Sequence, residues 1–270
     1  MLMIASTHLN ERRSRLKWHW ELLYVLVRRN LKKRYRGSFL GIYWSLLNPI
    51  IMTALYSAVF GTAFAIYYDD SILNYVLAVF TGLIIFNFFS ASTAQALASV
   101  VANGSIVNKI RLPLFIFPLS CIGANIFQFV MGGLPLLMLV TLILSRNIIN
   151  VVAIIFPLLA LALVCTGVGF LTGALYVFFR DLPYFYELLT FLIWISLPIF
   201  YPPEIVPDEI RPVLVRNPLF PIIESIRQIS LSGNLPDITL ILHSLFSGCI
   251  VLTLGAIAFK LWQEKFMDLL

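Results

Sequence analysis

Charge is what this chain has least of. Asp, Glu, Lys and Arg make up 12% of its 270 residues, about half of what a soluble domain carries. The sparse charges leave long stretches without any, at 37–68, 71–108, 112–145, 147–179, 188–203 and 238–259. A helix needs roughly 20 apolar residues to cross the hydrocarbon core of a bilayer. Five of the stretches exceed that length and 188–203 is marginal. Too little chain remains between them to build a separate soluble domain. Cysteine is also scarce: Cys121, Cys165 and Cys249 are scattered through the apolar stretches, which excludes a disulfide framework or a metal site and suits small apolar filler. The pattern G-x-x-x-x-G-K-[ST] is absent, so the chain carries no P-loop of its own. A serine nucleophile elbow and metal-ligand His/Cys spacing are missing too. Titratable groups inside the predicted spans reduce to His243, about one turn in from the outer end. That disfavours catalysis within the membrane and proton coupling.

What is present is a membrane pattern with a strong charge asymmetry. The net charge of +6 could suggest nucleic acid, but its placement argues otherwise. Arg12, Arg13, Arg15, Lys17, Arg28, Arg29, Lys32, Lys33, Arg34 and Arg36 all precede the first apolar stretch. With the N-terminus inside and six crossings, Lys109, Arg111, Arg180, Lys260 and Lys265 join them, leaving Arg146, Arg211, Arg216 and Arg227 outside. Lys and Arg collect on the cytoplasmic flanks of membrane helices. Both termini are therefore expected in the cytoplasm, in a multi-pass protein of the cytoplasmic (inner) membrane.

The expected organisation is a loose basic tail at 1–17, a cytoplasmic interfacial helix at 18–36 and one six-span domain at 37–270. In the interfacial helix Trp20, Leu23, Val27, Leu31 and Tyr35 make one stripe. Arg28, Arg29, Lys32, Lys33 and Arg36 gather opposite it, the pattern of a helix lying on an anionic surface. Gly37 and Gly41 permit a bend into span 1, near 44–67. Span 2 lies near 73–98, followed by an inner loop in which Asn103-Gly104 weakens the helical signal. Span 3, near 114–144, is expected to kink at Gly132, Gly133 and Pro135. Gly167, Gly169 and Gly173 in span 4, near 151–178, allow a neighbouring helix to come close. Asp181 reads as an N-cap with Pro183 in the first turn of span 5, which is expected to end near residue 200. In the proline-rich outer segment 204–237 a short stripe of Leu219, Ile222, Ile226 and Ile229 suggests a re-entrant or interfacial helix, with Glu224, Arg227 and Gln228 facing elsewhere. Span 6 lies near 239–259.

Aromatics recur at helical spacing on two spans. Tyr56, Phe60, Phe64 and Tyr67 share a face of span 1; Phe191, Trp194, Pro198 and Tyr201 share one of span 5. Such faces present large uncharged contact area to sugar rings, and the same spacing equally suits packing or an interfacial aromatic belt. Asp69-Asp70 in the first outer turn fits either a solvated turn or the acid of a polyprenyl-dependent glycosyltransferase.

The run 34–49, Arg-Tyr-Arg-Gly-Ser-Phe-Leu-Gly-Ile-Tyr-Trp-Ser-Leu-Leu-Asn-Pro, resembles the start of type-2 ABC transporter permeases of the polysaccharide export branch. Asn108-Lys109-Ile110-Arg111-Leu112-Pro113, Arg180-Asp181, and Asn217-Pro218 with Arg227 extend the resemblance in the same order along the chain. It implies an all-α membrane protein, a homodimer with two separate P-loop ATPase subunits that hold the ATP and Mg. This chain would then need no cofactor. It further implies that 18–35 packs on the ATPase and that Asn108, Lys109, Arg111, Arg180 and Asp181 transmit its motion. Asn217, Pro218 and Arg227 would belong to an outer gate, and Tyr56, Phe60, Phe64, Tyr67, Phe191, Trp194 and Tyr201 would line the path of a lipid-linked glycan. The expected function is export of such a polysaccharide, with a drug exporter or a glycosyltransferase as rivals.

Overall fold

The computed structural model describes residues 2–107, 109, 112–232 and 234–268, with side chains described within 17–266 of that set. The described chain is all-helical. Its helices are α1 (Leu2–Tyr35), α2 (Trp44–Phe64), α3 (Ile72–Ser99), α4 (Gly104–Val107), α5 (Ile116–Met131), α6 (Gly133–Ser145), α7 (Ile148–Ala153), α8 (Ile155–Phe178), α9 (Leu182–Ser196), α10 (Arg211–Arg216), α11 (Phe220–Leu231) and α12 (Ile238–Trp262). Short 3-10 turns continue α2, α3 and α12 at Ala65–Tyr67, Val101–Asn103 and Gln263–Asp268.

Four helical segments among the described residues are long and apolar enough to cross a membrane: Gly41–Tyr67, Ile72–Ser99, Ile148–Phe178 and Ile238–Phe266. A fifth is formed by α5 and α6 taken together, bent by 43° at Gly132, where the Gly-Gly-x-Pro sequence predicts a kink. The remaining apolar segment, α9, has only 15 residues. It stops short of the expected end because Leu197 turns extended, at φ −78° and ψ 138°. At the other end of the chain α1 runs from Leu2 to Tyr35, across both the expected tail and the expected interfacial helix.

Helix α3 is the hub. Buried residues make up 67% of its most apolar window, against 17% for the windows in α2 and α12. It packs on α2, α5, α8, α9 and α11. Lipid tails are as apolar as Leu, so close contact rather than water exclusion must hold such helices together. The α8–α12 pair shows this directly: a Cβ added to Gly255 would fall on the carbonyl oxygen of Gly167, and one on Gly167 would meet the Val251 carbonyl. Gly169 is similarly tight, since its Cβ would lie 2.7 Å from that of Ala96. Helix starts are capped in the usual manner. Ser71 accepts from the Asn74 amide at 3.3 Å, Asn147 from Ile149 at 2.9 Å and Asp237 from Thr239 at 2.8 Å. The link from α1 to α2 passes through Gly37 (φ 77°) and Gly41 (φ 53°), conformations that glycine adopts at no steric cost.

Candidate functional site

Three regions carry the residues singled out by the sequence: a wall between α2 and α9, the face built on α1, and the outer segment around α11.

On the wall, Tyr56, Phe60 and Phe64 stack down one side of α2 with ring centroids 6.3 and 5.8 Å apart. Phe191 and Trp194 lie 6.0 Å apart on α9. The two sets meet where Trp194 approaches Tyr56 edge-on at 6.4 Å. Tyr67 and Tyr201 make no ring contact with the wall among the described residues; Tyr67 is exposed, and the Tyr201 hydroxyl donates to the Ser196 carbonyl at 2.8 Å. Both lie beyond the end of a regular helix, where 3.6-residue spacing no longer governs direction. The geometry adds residues that spacing missed. Phe200, just past the break in α9, stacks on Tyr56 at 4.0 Å and meets Trp194 at 4.8 Å. Tyr75 of α3 pins the Phe200 carbonyl at 2.8 Å and receives Phe64 and Tyr68 against its ring.

Two cavities, of about 500 and 550 Å³, flank the α2–α3 contact. Asn48, Asn87, Ser90 and Ala94 line both. The smaller one also receives Phe191, Trp194 and Glu187 from α9. Glu187 lies one turn and a half into that helix, so His243 is not alone as a titratable group within the apolar helices. His243 itself is exposed on α12.

Arg28, Arg29, Lys32 and Lys33 of α1, and Arg36 in the turn after it, are exposed as expected. The opposite face is rotated from the predicted stripe: Leu26 is buried, Leu22 and Leu23 pack against Ile116 and Phe117, and Trp20 points outward. A polar seam fixes the helix to its neighbours. Arg29 donates to Asn103 Oδ1 at 2.9 Å, Asn30 to Ser120 Oγ at 3.1 Å, and Arg34 to Asn125 Oδ1 at 3.1 Å and to Gln95 and Gln128. Asn103 in turn donates to the Ser99 carbonyl at 2.7 Å, which satisfies an orphan carbonyl at the end of α3. The inner loop is therefore helical through α4 despite its Asn-Gly pair. Lys109 is exposed there; Asn108 and Arg111 lie outside the described residues. Arg180 and Asp181 are exposed in the α8–α9 turn, with the guanidinium 6.0 Å above the Tyr176 ring. Asp181 holds the N-cap position of α9 but its side chain caps no amide. Beneath this face Phe266 is fully buried, 6.0 Å from Phe178 and 5.5 Å from Phe259.

In the outer segment Asn217 Oδ1 accepts from the Leu219 amide at 3.0 Å across the turn that contains Pro218. Arg227 departs from expectation. It does not face away from the apolar stripe but is 7% exposed, donating to the carbonyls of Ile199 at 2.9 Å and Ala78 at 3.3 Å. Gly82 leaves the room: its Cβ would lie 3.4 Å from the guanidinium. Pro221, Ile223 and Ser225 are buried as well as the predicted stripe, so α11 has no broad solvent face for Arg227 to occupy. Ser230 and the Ile229 carbonyl bind Thr141 of α6 and Asn150 of α7 at 3.0 and 3.1 Å. Burial pushes the Glu224 carboxyl up from its ordinary value, with Arg227 partly opposing it. Among the described residues no three His, Cys, Asp or Glu side chains come together as a metal site would need.

The ABC-2 type transporter model matches residues 21–231, most of the chain. This chain belongs to the ABC-2 type transporter family. It is 29% identical over 268 residues to an O-antigen export system permease protein RfbA of Klebsiella pneumoniae, covering 94% of this chain and 97% of that protein. It is 27% identical over 253 residues to an RfbA of Myxococcus xanthus, covering 92% and 94%. As an ABC-2 type transporter with helices of spanning length, it is a multi-pass inner-membrane protein and a permease subunit rather than an enzyme. Membership also implies association with an ABC ATPase, which accounts for a transporter chain without a P-loop.

Proposed function

We propose that this ABC-2 permease exports a lipid-linked polysaccharide such as an O-antigen across the cytoplasmic membrane, as a homodimer bound to two P-loop ATPase subunits. One observation carries the reading: an uncharged aromatic wall runs continuously from Phe64 through Tyr56 to Trp194 and Phe191 across two helices. Sugar rings present apolar C–H faces to such surfaces, and a wall without charge grips a long polymer weakly at many points, so that it can still slide. The names of the RfbA relatives favour the same substrate class.

In this reading α9 is the short sixth crossing, both termini are cytoplasmic, and Tyr67 and Tyr201 sit at the outer mouth. The basic face of α1, the α4 loop with Asn108, Lys109 and Arg111, and the Arg180–Asp181 turn receive the ATPase. Asn217, Pro218 and Arg227 belong to the outer gate. ATP binding closes the partner subunits, which push on these inner elements and part α2 from α9. Replacing Phe60, Phe64 and Trp194 by Ala should cut surface glycan by about tenfold or more, each ring contact contributing about 1 kcal/mol, with drug resistance unchanged. Lost resistance with normal glycan would favour a drug exporter. Loss of activity in Asp69→Asn with Asp70→Asn would favour a glycosyltransferase; both aspartates hold left-handed turn conformations, φ 55° and 52°, and are exposed, as a solvated turn requires.

A further inference from the structure

Several amides in this bundle are partnered, although the Asn150 Oδ1 is not. Gln95, Asn125 and Gln128 surround Arg34, and Asn150 donates to two carbonyls. Asn48 and Asn87 differ. Neither side chain makes a hydrogen bond among the described residues, nor does the Glu187 carboxylate; Asn87 is half-buried, and Asn48 and Glu187 are exposed on the cavity side of their helices. All three line the cavity of about 500 Å³ between α2, α3 and α9. A polar group in the membrane without an internal partner is costly to keep, and usually marks the path of a substrate.

Asn48 and Glu187 share a level, and Asn87 lies nearer the middle of its helix. Asn48 lies four residues after the start of α2 and Glu187 five after the start of α9, about 6 and 8 Å along their helices at 1.5 Å per residue. Asn87 lies twelve residues before the end of α3, about 18 Å from the same side of the bundle. They therefore sit in the half opposite to Phe64 and Tyr75. Phe191 and Trp194 line the same cavity.

We infer that Asn48, Asn87 and Glu187 form a sugar-binding belt in the inner half of the conduit, accepting and donating hydrogen bonds to glycan hydroxyls while Phe191 and Trp194 hold the ring faces. The inference rests on the polysaccharide reading and adds the polar contacts that reading lacks. Amides suit hydroxyls because both groups donate and accept, and a carboxylate is a strong acceptor for a hydroxyl donor. No Lys or Arg lines this cavity, so a phosphate or diphosphate is a poor occupant beside Glu187. The aromatic platform with convergent polar groups is the general form of a small-ligand site.

The test uses the full chain with its ATPase in a host that lacks the native permease gene, reading surface glycan per unit of permease in the membrane. Asn87→Leu, Asn48→Leu and Glu187→Leu should each lower it about fivefold or more, while Asn87→Gln and Glu187→Gln largely retain it. Leucine favours insertion into a bilayer, so abundance and dimer assembly should stay normal and misfolding is not the cause. Normal export by the leucine variants, with the aromatic triple variant still blocked, overturns the belt and leaves the polysaccharide reading standing. If the triple variant is silent as well, that reading falls first. Dissociation of the dimer in the leucine variants would make these residues a contact between copies and overturn the inference. Loss of resistance to cationic amphiphiles with normal glycan would assign Glu187 to a cation site and do the same.

Discussion

A guanidinium buried in a membrane bundle must find acceptors for its donors or leave them orphaned. Arg227 meets this requirement in part. It binds the Ala78 and Ile199 carbonyls, while Nη1 finds no partner among the described residues. The Ile199 carbonyl is available only because α9 unwinds at Leu197, so arginine and helix break support one another. One turn earlier, Glu224 is held in a half-buried position outside the spanning helices, and burial raises its pKa above 4.5. The sign follows from proton binding: the folded state holds this proton more tightly than the unfolded state, so stability from this group is present below pH 4.5 and is lost as pH rises through the folded value. Glu224→Gln removes the charge at every pH. In thermal unfolding of the detergent-solubilised protein, the variant should melt a few degrees above wild type at neutral pH, and the gap should close as pH falls toward 4.5. A gap that widens on acidification would contradict the burial argument.

At the scale of elements, two kinds of contact hold helices together. Between α8 and α12 the backbones touch through Gly167 and Gly255. Gly255→Leu drives a side chain into a carbonyl with nowhere to shift, and should cost more than about 3 kcal/mol. The checks are loss of the monodisperse peak in size exclusion and a lower melting temperature, whereas Gly37→Ala, with nothing within 4 Å of its Cβ, should leave the α8–α12 packing intact. Between α1 and the bundle a polar seam runs beside the apolar contact of Leu22, Leu23 and Leu26: Arg29, Asn30 and Arg34 tie the helix to the α3 end and to α5. Helix α1 thus belongs to the α3–α5 body. The glycine link at 37–41 separates it from α2, which carries the aromatic wall.

For the molecule as a whole, these attachments sort the helices into a packed body and a looser wall. α3, α5, α8 and α11 carry most of the buried side chains, whereas α9 has Tyr186 alone as a buried residue among those described. The elements proposed to meet the ATPase all sit on the body. Val100 at the end of α3, Val177 at the end of α8 and Phe266 form one buried cluster with Leu114 packed against it, so a push on one is passed to the others. Reversing Arg28 and Lys32 to Glu, both exposed and outside the seam to α5, should lower co-purification of the ATPase by about tenfold without changing permease abundance. The purified permease alone should hydrolyse no ATP; turnover by this chain without a companion would end the account of it as a driven conduit.

Sequence alone determined the membrane class, the kink at Gly132, the basic face of α1 and the aromatic stripes as far as Phe64 and Trp194. Each follows from composition or from a period along one regular helix, which needs no knowledge of neighbours. What lay past helix ends did not follow, because direction is then set by contacts. Phe200 replaced Tyr201 on the wall after α9 unwound, and Asn103 extended a helix that Asn-Gly argued against by binding Arg29 and the Ser99 carbonyl. Arg227 turned inward because α11 is enclosed by α3, α6, α8 and α12, and periodicity reveals a buried side only when the opposite side is open. Which polar residues share one cavity was likewise decided in three dimensions, where helices distant in sequence bring Asn48, Asn87 and Glu187 to the same wall.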